Sequence, residues 1–213
     1  MFAAKMLVAM TGLLGTALLA AQPNLPNLQP AEPAQGVGAI NDYLRSSQQD
    51  VQLRDGMLYV DAMKANTPVF ALRQDKAFQN TTATVQFRID PVGTKRSFGL
   101  VFGAKGPQSY HAVQFDRTSV VLYEYRPGQP AKELARQAGF VKPDGQWYEA
   151  KVETNGPQVK VSVDGRFLFA FNAPQLQPGH VGVYAEGGRA WVRKFEMGGT
   201  PSPASLPNLW APR

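Results

Sequence analysis

Two carboxylates on one predicted strand, Glu149 and Glu153, are the first place to look for hydrolytic chemistry, because retaining cleavage of a glycoside needs two carboxyl groups about 5 Å apart on one face. They share a face but stand two steps apart with Lys151 between them, which is the pattern of a solvated edge of alternating charge. Of the two histidines, His111 alternates with Val113 and Phe115 and so points with them to the core, while His180 sits in a Pro-Gly-His turn. With about 70 residues between them and no acid beside either, they make no case for metal or base catalysis. The absence of cysteine excludes a thiolate nucleophile, a Cys-based zinc site, a disulfide framework and a lipid-attachment thiol. Asp61, Asp90, Asp116 and Asp144 fall at strand ends, where turn formation is the plain use and one oxygen each for calcium the sharper one. No catalytic residue and no metal ligand is assigned, no cofactor is expected, and calcium is allowed only as a possibility of oxygen chemistry.

Strand phasing gives a better candidate surface. If Val85, Phe87 and Ile89 face inward, Thr84, Gln86 and Arg88 face out; with Val113 and Phe115 inward, Tyr110, Ala112 and Gln114 face out. With Val120 and Leu122 inward, Val121, Tyr123 and Tyr125 face out, and Gly99, Val101 and Gly103 lie between. Gln86, Arg88, Tyr110, Gln114, Tyr123 and Tyr125 are therefore the candidate ligand-binding residues, combining hydrogen-bonding arms, rings that stack and small residues that leave a trough. An ordinary half-wet sheet satisfies the same pattern. Outward tyrosines contribute little to a core, so Tyr123→Ala with Tyr125→Ala is expected to leave the melting temperature within a few degrees. Trp147 and Trp191 are expected in or near the core, and Trp210 has no evident shelter.

The elements that must position these residues are strands. In WYEAKVETNGPQVKVSVDGRFLFAF, residues 147–171, Tyr148, Ala150 and Val152 alternate with charges, as do Val159, Val161 and Val163. Asn155-Gly156 and Asp164-Gly165 supply the positive φ of tight hairpins, with Pro157 lengthening the first. Twenty Gly and 17 Pro in a chain rich in Val, Phe and Tyr suit short strands joined by turns. Strands are predicted near 51–54, 57–61, 69–72, 82–89, 97–102, 110–115, 119–125, 132–136, 147–154, 158–163, 166–171, 180–184 and 190–197, with one short helix allowed in 39–47. Without crossover helices the expected fold is all-β, a two-sheet antiparallel jelly-roll sandwich.

Lys5 followed by an apolar run of about 16 residues ending in small side chains predicts a signal peptide over 1–21, cut after Ala20 or Ala21, since a span needs about 20 apolar residues. A secreted or periplasmic protein with no stable span after cleavage is expected. Five prolines make 22–36 a linker, 37–199 is the folded domain, and 200–213 is a second proline-rich tail. Leu-Pro-Asn-Leu recurs at 25–28 and 206–209. The net charge of +6 is scattered rather than gathered in a stripe, so nucleic acid is not an expected partner.

The succession GMLYVDA, TVQFRI, FGLVFG, YHAVQFD, VVLYEY, WYEAKVETNGPQVKVSVDGRFLF and GHVGVYAEGGRAWVRKFEM resembles the jelly roll of concanavalin A-like lectins and glucanases. Within that group it is similar to laminin-G-like modules and to bacterial 3-keto-disaccharide hydrolase-like domains. The resemblance implies carbohydrate as ligand class, often with calcium. For the keto-sugar hydrolases it places YHAVQFD at the site, but the Asn-Ser-Gly expected ahead of it is replaced by Arg96-Ser97-Phe98-Gly99. The expectation is a secreted, non-catalytic, lectin-like module with a glycan partner. The alternatives are a secreted 3-keto-glycoside hydrolase or lyase and an envelope interaction scaffold; oligomeric state is left open.

Overall fold

The computed structural model describes residues 36–93, 95–140 and 144–202. The predicted signal peptide, most of the linker and most of the tail lie outside the described residues. A 3-10 turn at Ile40–Asp42 leads into β1 (Tyr43–Arg45), so the helix allowed there is one short turn followed by a strand. The other strands are β2 (Val51–Arg54), β3 (Met57–Asp61), β4 (Val69–Ile89), β5 (Ser97–Gly106), β6 (Ser109–Phe115), β7 (Ser119–Tyr125) and β8 (Lys132–Ala138). They are followed by β9 (Tyr148–Asn155), β10 (Gln158–Val163), β11 (Arg166–Asn172), β12 (Gly179–Glu186) and β13 (Arg189–Pro201).

The strands predicted at 69–72 and 82–89 are the two halves of β4, a single 21-residue strand. Its first half pairs with β1 and β12, its second half with β9 and β13, all antiparallel. The hydrogen-bonded path is therefore continuous, yet it forms two sheets that share β4. The front sheet runs β1-β4-β12-β5-β6-β7-β8 and the back sheet β11-β10-β9-β4-β13-β3-β2. Gln74, Asp75 and Lys76 are exposed between the halves, which is why a polar break there reads as a loop in sequence. At the back-sheet end of the crossing, β13 comes so close that a Cβ on Gly199 would lie 1.7 Å from the Asn80 carbonyl oxygen.

Hairpin chemistry follows the sequence. Asp164 and Gly165 both take positive φ between β10 and β11, and Asp55 and Gly56 do the same between β2 and β3. The sheets enclose one core that includes Val85, Phe87, Phe98, Phe115, Val152 and Val192, with the Phe87 and Phe98 rings stacked at 4.2 Å.

The two sheets differ on their outer faces. On the back sheet β4 alternates, with Ala83, Val85 and Phe87 buried and Thr84, Gln86 and Arg88 half-buried. On the front sheet both faces are buried along β5 and β12, and the outer side carries a second apolar cluster of Phe70, Leu72, Val101, Tyr110, Ala112 and Tyr184. The trough expected over Gly99 is filled: Tyr184, opposite Gly99 across β12 and β5, lays its ring where a Cβ would be, 2.0 Å away. Gly99→Ala is accordingly expected to destabilise the domain by about 1–3 kcal/mol through overpacking, read from the midpoint of chemical unfolding. An unchanged midpoint would contradict this packing.

Candidate functional site

Four of the six predicted ligand-binding residues come together. Tyr110 and Gln114 on β6 and Tyr123 and Tyr125 on β7 share the outer face of the front sheet, with Tyr110 directly opposite Tyr125. The Tyr110 and Tyr125 rings stack at 4.3 Å, and Tyr123 lies 6.0 Å from Tyr125. Tyr110 is buried, at 5% exposure, rather than outward and wet, because Tyr125 and Phe70 close over it. Tyr123, Tyr125 and Gln114 remain half-buried. Tyr184 completes the row from β12 and donates its hydroxyl to Gln114 Oε1 at 2.8 Å. Burial pushes the phenols of Tyr110, Tyr125 and Tyr184 above the ordinary tyrosine value, so they act as neutral hydrogen-bonding groups and not as bases.

Gln86 and Arg88 are elsewhere. They lie on the second half of β4 and therefore on the outer face of the back sheet, because β4 changes sheets between its halves. Gln86 donates to Glu149 Oε2 and accepts from Arg193, both at 2.9 Å. The Arg88 guanidinium lies 5.3 Å from the Trp147 ring and 5.5 Å from that of Trp191, beside Asp90. Both tryptophans are half-buried on this face and outside the core, where alternation of Trp191 with the buried Ala190 and Val192 would have placed it. Lys151 pairs with Glu153 at 2.9 Å, so Glu149–Glu153 is the charged surface its spacing implies, but it lies on an inner strand between β10 and β4 and not on an edge.

A polar cleft opens at each end of the tyrosine row. One, of about 320 Å³, is lined by Lys95, Ser97, Gln114, Asp116, Arg117 and Glu186 among others. The other, of about 300 Å³, reaches round the ends of β6 and β7 and brings Tyr110 and Tyr125 beside His111, Glu124 and Arg126.

His111 does point inward, but it has an acid. His111 faces Glu124 across the β6–β7 pair, with Nε2 3.7 Å from Oε1 and both side chains 6% exposed. Arg126 donates to the same carboxylate oxygen at 2.8 Å. The register that opposes Phe115 to Val120 also opposes His111 to Glu124, so this acid was readable once the hairpin was placed. His180 is structural: its Nδ1 lies 2.8 Å from the Arg73 carbonyl oxygen, to which it donates.

The four strand-end aspartates are occupied by protein groups. Asp61 accepts from Tyr59, Met63 and Arg189, Asp90 from Trp191, Asp116 from Thr118 and Ser119, and Asp144 pairs with Arg96. Among the described residues no group of three or more histidines and acids is placed to hold a metal ion. No helix among them is long and apolar enough to cross a membrane.

The fold and its polar-aromatic sheet define a concanavalin A-like jelly roll of the galectin-like kind. The model of the 3-keto-alpha-glucoside-1,2-lyase-like domain matches residues 38–198, and the chain belongs to that family. No curated protein matches it. Among solved structures it is similar to the carbohydrate-binding module CBM66 from Bacillus subtilis, at 14% identity and TM-score 0.66, over 73% of this chain and 94% of that one. It is also similar to a Bacillus subtilis protein of unknown function with a galectin-like fold, at 14% identity and TM-score 0.63, over 78% and 92% of the two chains. The carbohydrate recognition domain of Emp47p shares the fold at 14% identity and TM-score 0.58, over 79% and 93%.

Burial holds the His111 pKa below its usual 6.5; Glu124 opposes the shift and Arg126 adds to it. The unfolded histidine takes its proton near 6.5, so this contribution to stability is complete above that pH and is lost as pH falls towards the lower folded value. Burial would raise Asp61 and Asp116, but hydrogen bonds outweigh it and lower them, so they act only below their unfolded value of 3.8. The melting temperature should therefore begin to fall just below pH 6.5, and His111→Gln should flatten that first decline. Parallel curves for the two proteins would contradict the buried, neutral imidazole.

Proposed function

We propose that the domain is a non-catalytic glycan-binding module of an exported protein, with its site on the outer face of the front sheet. The observation that carries this reading is the group of half-buried Tyr123, Tyr125 and Gln114, set over the buried rings of Tyr110 and Tyr184 between two polar clefts. Half-exposed rings offer apolar area to the C–H face of a sugar, while Gln114 and the phenol hydroxyls satisfy its hydroxyls without moving a proton. Membership of a family named for a sugar lyase, and a fold shared with a carbohydrate-binding module and a carbohydrate recognition domain, support carbohydrate as the ligand class. Export rests on the leader pattern of residues 1–21, outside the described residues.

A second reading, a 3-keto-glycoside hydrolase or lyase, is favoured by one observation: His111 and Glu124 reach the cleft that Tyr110 and Tyr125 also line. Cleavage of a 3-keto-glucoside by the purified protein, followed by chromatography of the products, would replace the first reading by the second.

Binding through few wet contacts should be weak, on the order of 0.1–1 mM. Tyr123 is the residue to remove, because Tyr125 is stacked on Tyr110 and its loss would open the second apolar cluster. Tyr123→Ala should weaken the best hit of a glycan array about tenfold by calorimetry and move the melting temperature by no more than about 2 °C. Full affinity in a folded Tyr123→Ala protein would remove the site from this face.

A further inference from the structure

The His111–Glu124 pair lies on the inner side of β6 and β7, so the tyrosine face does not account for it. Two cavities, of about 300 and 350 Å³, meet there and share His111, Glu124, Arg126 and Gln175 as lining. Tyr110 and Tyr125 wall the first; Leu134, Phe171 and Pro174 wall the second. Apolar sides around a few convergent polar groups are the usual form of a small-molecule site. The segment 173–177, which contributes Gln175 to both cavities, is held by backbone hydrogen bonds from Ala173 to Pro157 and from Leu176 to Ala173.

The polar floor carries an unmet demand. His111 Nε2 is buried and has no hydrogen-bond partner among the described residues. Buried polar atoms are nearly always paired, since an unpaired one keeps its full desolvation penalty. Glu124 Oε1 is the nearest acceptor, but 3.7 Å exceeds the reach of a direct hydrogen bond. One oxygen about 2.8 Å from each atom would satisfy both, accepting from Nε2–H and donating to the carboxylate. A hydroxyl is the group that does both at one atom. An ionised carboxylate can accept from the imidazole but has nothing to donate to Glu124, and a phosphate P–OH brings its own negative charge up to that carboxylate. A hydroxyl presented from the cavities reaches both atoms once the imidazole turns its edge towards them, because Nε2 itself has almost no open surface in the free protein.

We infer that His111 and Glu124 form a polyol subsite that holds the terminal residue of a neutral glycan by its hydroxyls. The inference rests on the reading that the front sheet takes a glycan: a chain lying over Tyr123 and Tyr125 reaches this subsite where β7 ends, and its last sugar enters the cleft round the strand end. Arg126 fixes the Glu124 carboxylate as an acceptor, which makes it a positioning residue. Recognition is then of chain ends and not of chain interiors.

The chain has only two histidines, so long-range proton–nitrogen spectra of their rings test this directly, with His180 as internal control. The probes are methyl α-D-glucopyranoside and methyl β-D-glucopyranoside at about 50 mM, against inorganic phosphate and glucuronate at the same concentration. At least one neutral glycoside should shift the His111 ring signals, leave those of His180 in place, and keep the pattern of a neutral ring; Glu124→Gln should weaken the effect about tenfold. Should that variant fail to fold, the wild-type spectra still decide. Shifts by phosphate or glucuronate alone, or by none of the probes, overturn the subsite. Array binding without a His111 shift removes the subsite and leaves the tyrosine face standing. A His111 shift without array binding keeps the subsite and removes the tyrosine face, and failure of both removes both.

Discussion

The structure depends on β4 exchanging both of its neighbours as it passes from one sheet to the other. Its 21 residues are several times the length of an ordinary strand, and each half has its own pair of neighbours. Unpaired backbone groups are costly in the interior, and the exchange falls at Gln74, Asp75 and Lys76, which have no ladder partner and are exposed to water. The passage gives the two sheets different surroundings. The front half of β4 is buried on both faces and donates Phe70 and Leu72 to the outer cluster; the back half alternates and leaves Gln86 and Arg88 half-open.

From that difference the two outer faces acquire different chemistry. The front face is a buried floor that includes Tyr110 and Tyr184, whose phenols burial keeps neutral, with half-buried Tyr123, Tyr125 and Gln114 at its surface. Such a surface exchanges hydrogen bonds with a neutral ligand and has little to offer an ion. The back face interleaves guanidinium groups with Trp147, Trp191 and Tyr59, and Arg54 sits 3.9 Å over the Tyr59 ring. Its rings are engaged with the protein's own cations, which stabilises that face and leaves less ring area for a sugar.

Much of this was legible in the sequence, because alternation fixes which side of a strand a residue takes. The phases of Val113, Phe115, Val120 and Leu122 correctly put Tyr110, Gln114, Tyr123 and Tyr125 on one face. Alternation says nothing about which sheet a strand joins. The polar residues after Leu72 resemble a loop, so the two halves of β4 read as separate strands and Gln86 and Arg88 were grouped with the tyrosines. Burial on the outer side was equally hidden, since Tyr184 lies 85 residues from Gly99, and only the pairing of β12 with β5 brings its ring there. The His111–Glu124 pair was closer to reach: it needed only the register of one hairpin.

The central claim is that glycan recognition belongs to the front sheet. Backbone amide shifts recorded with a saturating oligosaccharide chosen from the array separate the two faces directly, because each strand reports through its own residues. The account predicts changes along β6, β7 and the Tyr184 end of β12, with β9 and β13 unmoved. Changes centred on Trp147, Arg88 and Trp191 would contradict it and assign recognition to the back sheet.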